Sequence, residues 1–178
     1  MSRIVRMVVA VMEILGGLIG IGLIAYALFS EPLSQSSVIV HCGFVLVFLY
    51  GIAAGVALLR TERLGLVLSI LYMVIQIPIV TTSIFSFDLF SGASVNMLLY
   101  ESGWWFNFLF GSRYYFNLNS YEPWCFGVNI LALALFILLI RELWLERAAS
   151  RDVETEAPVH YEQPEAIEPR PKFAWRQN

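Results

Sequence analysis

The sequence predicts an all-α membrane protein. It would be a bundle of four transmembrane helices with a small extracytoplasmic β-hairpin or meander between the third and the fourth. Three observations lead there. Four apolar runs approach or exceed the roughly 20 residues that a helix needs to cross a bilayer. Only 14% of the 178 residues are charged and 58% are hydrophobic, with a mean hydropathy of +0.71, whereas a soluble domain carries about 25% charge. The third is that the arginines outside the far tail gather on one side of the predicted spans.

The first predicted helix, within residues 1–30, follows a short basic start, Arg3 and Arg6, and holds one charge, Glu13. A cleaved signal peptide is the competing reading, on the basic start and the small-x-small sequence Ala25-Tyr26-Ala27. A signal core of about 7–15 residues is shorter than this run. The second predicted helix, 38–60, has no charge before Arg60 and contains His41 and Cys42. The charged turn Arg60-Thr61-Glu62-Arg63 leads to the third, 64–87, with Gln76 and a kinking Pro78 near its middle. The fourth, 125–145, starts at Cys125 and ends among Arg141, Glu142, Glu146 and Arg147.

Residues 88–124 read as a β-rich extracytoplasmic cap. Aromatic side chains favour strands, and Gly111-Ser112 between two aromatic runs is a hairpin signal. Trp104, Trp105, Phe106, Phe108, Tyr114, Tyr115 and Phe116 carry its aromatic content. Interfacial aromatics shielding helix ends are one use for such a cap, and a ligand or partner platform is the other. Residues 146–178, rich in glutamate and proline, predict a disordered acidic tail, with a basic and aromatic patch from Arg170 to Arg176.

Arg3, Arg6, Arg60, Arg63, Arg141, Arg147 and Arg151 flank one side and Arg113 alone the other. The positive-inside bias then places both termini in the cytoplasm of a multi-pass protein, in a plasma or inner membrane.

Intramembrane polar groups are where function is sought first. Glu13, His41, Gln76 and Asn129 are the candidates, and a carboxyl group among them is able to carry protons. Helix-packing faces are predicted from Gly16 and Gly20 in the first helix and Gly51 and Gly55 in the second, each pair a GxxxG that permits close approach. Cys42 and Cys125 fall at similar depth on the oxidising side, so a disulfide is possible if their helices are neighbours. The spacing offers no zinc, CxxC, HExxH, GxSxG or P-loop motif. No metal or cofactor is expected, and a net charge of −3 argues against nucleic acid.

The sequence therefore points to a non-enzymatic interaction or accessory module in a lipid bilayer. The aromatic cap and the glycine faces would engage another membrane protein or further copies of the chain. The alternative is a small channel or transporter using Glu13, Gln76, His41 and Asn129. An enzyme with a site beneath the cap ranks third, on Asp88, Glu101, Glu122 and His41.

Overall fold

The structure is a computed structural model and describes residues 3–30, 35–118 and 123–156. In chain order these form α1 (Arg3–Ser30), α2 (Gln35–Arg60), α3 (Glu62–Gln76), β1 (Pro78–Thr81), β2 (Phe85–Tyr100), β3 (Gly103–Leu118), β4 (Cys125–Asn129) and α4 (Ile130–Glu156). The four helices pack in sequence order, and β2 lies against both α1 and α4.

The expectation of an all-α four-transmembrane-helix bundle is overturned. Beside the helices stands a four-stranded antiparallel sheet, and among the described residues only two helices, Arg3–Ser30 and Val38–Arg60, are long and apolar enough to cross a membrane. The third predicted span breaks at Pro78. Proline lacks the N–H a helix needs, and Ile77 just before it is the last residue with helical backbone. The helix therefore stops at Gln76, and the β-branched residues beyond continue as β1. The fourth predicted span loses residues 125–129 to β4, and its apolar stretch then runs only from Ile130 to Ile140. In the predicted tail, α4 carries helix on through residues 146–156, while the rest of the tail with its basic and aromatic patch lies outside the described residues.

The cap is likewise larger than expected. Gly111-Ser112 is no hairpin turn. β3 runs straight through it in register with β2, Gly92 opposite Gly111, and the chain reverses at Glu101-Ser102. The pairing forces a second change of direction. β1 pairs antiparallel with both Phe87 and β4, and β4 pairs antiparallel with residues 96–100 of β2. Three neighbours cannot all be mutually antiparallel unless one of them turns back. β1 and β4 are too short to do so, so the long β2–β3 ribbon curls between Phe87 and Asn96. Both glycines at that point, Gly92 and Gly111, have positive φ, at 89° and 110°, where a Cβ is disfavoured.

α1 and α2 run antiparallel and hold the core between them. Ile24 meets Phe44 and Phe48 at one end, and the Arg6 Nε donates to the Leu58 carbonyl at 2.5 Å at the other. The Leu89 side of the ribbon closes over Ile24, Phe44 and Phe48. A second cluster of Val9, Leu58, Leu66, Tyr72 and Leu139 ties α1 through α4 together.

Candidate functional site

Two places in this fold concentrate chemistry. The first is where the curl of the ribbon meets the helices. Gly16 of α1 has no side chain, and a Cβ there would collide with the Gly92 amide and Ser91. The ribbon is pinned at this contact from both strands: Ser112 Oγ donates to the Gly16 carbonyl at 2.6 Å, and the Ser91 amide donates to Gln76 Oε1 at 2.8 Å. One turn below, Glu13 is buried, and its Oε2 accepts from Ser69 Oγ at 2.9 Å. Its other oxygen has no hydrogen-bond partner among the described residues. A buried carboxyl with one oxygen unused is costly and calls for explanation.

Of the four polar residues predicted to act inside the membrane, the structure gathers two. Glu13 and Gln76 join Ser69, Tyr72 and Ser91 around the curl. His41 lies elsewhere, edge-on to Tyr114 at 5.7 Å between ring centres. Asn129 is the N-cap of α4: its Oδ1 accepts from the Ala132 amide at 3.2 Å, and the Val95 amide approaches the same oxygen at 3.4 Å. This is the usual work of an asparagine at a helix start.

The glycine faces are occupied within the chain. A Cβ on Gly20 would strike the Phe48 ring, one on Gly51 the Tyr72 ring, and one on Gly55 the Ala10 carbonyl. They are close-packing positions, as the GxxxG spacing suggests, but with neighbours already in place. The two cysteines are free thiols, Cys42 exposed on α2 and Cys125 buried in β4, so the possible disulfide does not form. The strand placement of Cys125 among Ile79 and Leu98 separates it from α2.

The second place is the outer half of the ribbon. Beyond the curl, Trp104, Phe106, Phe108 and Phe110 alternate onto one face of β3, all more than half exposed. Phe108 and Phe110 touch edge to face, 4.5 Å between centres. Trp105 is also exposed, on the opposite face. Tyr114 and Phe116, on the other side of the curl, are not part of this surface, since they pack against the core of α1 and α2. Tyr115 faces the interior of the curl. β3 is the terminal strand of the sheet and pairs only with β2 among the described residues. Its outer edge therefore presents backbone donors and acceptors beside an aromatic face.

Sequence reasoning missed Ser91, Ser112 and Gly92, which anchor the curl, and the pair Asp88–Arg113, whose Oδ2 and Nε lie 3.3 Å apart. Burial holds the Asp88 carboxyl above its ordinary range, while Arg113 pulls it down. No cluster of three or more metal-ligating side chains occurs among the described residues. Comparison with protein-family models, curated proteins and solved structures finds no match to this chain.

Proposed function

We propose that this protein is a non-enzymatic accessory module, anchored in a bilayer by α1 and α2, that engages another membrane protein through β3. The observation that carries this reading is the coincidence on one strand of a free edge and an exposed ladder, Trp104, Phe106, Phe108 and Phe110. A free strand edge adds affinity through main-chain hydrogen bonds to an incoming strand, and alternate side chains supply specificity. Aromatic anchors of this kind dominate the energetics of interfaces. The glycine faces are already filled by Phe48, Tyr72 and the ribbon, so they are not open to a partner.

The anchoring half of the proposal rests on two apolar helices of 28 and 23 residues. As an antiparallel pair they bring Arg3, Arg6, Arg60 and Arg63 to one end, which the positive-inside bias assigns to the cytoplasm. β3 then belongs to the outer half of the bilayer or the surface above it. Extraction into nanodiscs at native expression, followed by native mass spectrometry, tests the proposal. A stoichiometric second protein, lost when Phe106 and Phe108 are both changed to serine, is the expected result. A monomer or a lipid-only complex contradicts it.

Transport is the second reading, favoured by the unused oxygen of Glu13 at the curl. Proton or ion flux in liposomes that is abolished by Glu13→Gln supports it, and unchanged flux removes it.

A further inference from the structure

The curl meets α1 at Gly16, midway between Arg3 and Ser30. α3 ends at the same level, where Gln76 accepts from the Ser91 amide, and α4 begins close by, where Asn129 faces the Val95 amide. From this level the two short helices run back to the arginine end. The 15 residues of α3 rise about 22 Å, and residues 130–140 of α4 about 16 Å. Each covers one leaflet of an apolar core about 30 Å thick and not both. On the other side of the curl the strands take over. Phe87, Leu89 and Phe116 of the ribbon cluster with Ile24, Leu28, Val40 and Phe44, in the halves of α1 and α2 farther from the arginines. If α1 and α2 span a bilayer, as the proposed function requires, the sheet lies within the outer leaflet.

An open sheet edge in hydrocarbon leaves N–H and C=O groups unpaired, and membrane sheets avoid this by closing on themselves. Three strands here do so: β1 pairs with both β4 and β2, and β4 pairs with β2. β3 stays outside that ring, with β2 as its one neighbouring strand among the described residues. Residues 112–118 of β3 are covered, since Tyr114 and Phe116 pack into the α1–α2 core and Ser112 donates to the Gly16 carbonyl. Residues 103–110 are not. Trp104, Trp105, Phe106, Asn107 and Phe108 are exposed in succession, so neither face of the strand is covered. This stretch holds no charge and no proline, the residues that blunt an edge facing water. We propose that residues 103–110 pair, inside the outer leaflet, with an uncharged strand of another membrane protein. Strand direction rules against a second copy. β3 runs inward, from the Glu101-Ser102 turn to the curl, in every copy inserted alike. A two-fold axis along the bilayer normal sets two such strands parallel, whereas every pairing in this sheet is antiparallel. The partner strand runs outward and carries apolar side chains beside Trp104, Phe106, Phe108 and Phe110.

The test separates depth from pairing. For depth, nitroxide labels are attached in Phe106→Cys and Phe110→Cys, with Leu18→Cys on the exposed side of α1 as the mid-bilayer reference and Cys42→Ser removing the exposed thiol. In nanodiscs all three labels are expected to collide with oxygen in preference to a water-soluble nickel chelate, with Phe110 nearest to Leu18. Nickel access at Phe106 and Phe110 equal to that of a label in water overturns the proposal and leaves the docking role of β3 standing. For pairing, hydrogen exchange of residues 103–110 is compared between the complex extracted at native expression and the overexpressed chain alone, both in one mild detergent. Amides along an edge strand alternate between the neighbouring strand and the open side, so about half of them should be protected only in the complex. Equal exchange in the two samples, with a partner protein present, overturns the pairing. A homodimer with the same protection puts a second copy in the partner's place and overturns it too. A chain that extracts alone overturns the docking role together with this proposal.

Discussion

Gly16 is the residue on which the most structure converges. A methyl group there meets backbone, the Gly92 amide, and backbone does not yield as a flexible side chain does. Gly22, two turns along the same helix, has open space around its would-be Cβ. Gly16→Ala is therefore expected to cost about 1–3 kcal/mol of stability, and Gly22→Ala to be neutral or slightly stabilising. Thermal midpoints of the two variants in detergent check the contrast. Asn129→Ala, which removes the cap of α4, costs about 0.5–2 kcal/mol, read in the same assay. The cysteines follow from exposure. Cys42 is open, whereas burial pushes the Cys125 thiol up and keeps it protonated. N-ethylmaleimide should label Cys42 ahead of Cys125, and non-reducing electrophoresis should show no internal disulfide. At this scale the glycine spacing was legible, but the partner of Gly16 was not. A GxxxG pair says that something comes close, and helical periodicity carries no information that the neighbour is a strand 76 residues away.

Among elements, the β2–β3 ribbon sets the geometry of everything around it. Strand content and the shared face of Phe106, Phe108 and Phe110 were readable from aromatic alternation. The curl was not, because Gly111-Ser112 in a single strand looks like a turn until its partner, Gly92, is known. The end of α3 at Pro78 was open to the same misreading, since a membrane helix tolerates proline and a strand start uses it equally well. The ribbon also carries a pH dependence. Well below the ordinary aspartate value of 3.8, Asp88 is neutral in folded and unfolded chains alike. As pH rises from there toward its raised folded value, the unfolded chain gives up its proton first, and the folded state loses stability relative to it. Asp88→Asn should therefore raise the thermal midpoint over wild type at neutral pH, with the difference shrinking to nothing as pH falls well below 3.8. A lower midpoint at neutral pH would mean that the ion pair with Arg113 outweighs burial.

The molecule as a whole combines two apolar helices of membrane length with a sheet whose curl reaches in among them. Composition made the apolar character plain. It could not divide that character between lipid-facing helix and buried strand, because both read as long runs of leucine, isoleucine, valine and phenylalanine. The outcome is a molecule whose glycine faces are filled from within the chain and whose long edge strand, β3, presents its aromatic ladder outward. Site-specific photo-crosslinking in native membranes tests that claim most directly, with the crosslinker placed at Phe108 and, as a control on the exposed side of α1, at Leu18. A single, saturable protein adduct from Phe108 that is absent from Leu18 is the predicted result. Lipid adducts alone from Phe108, or the same set of proteins from both positions, would contradict it.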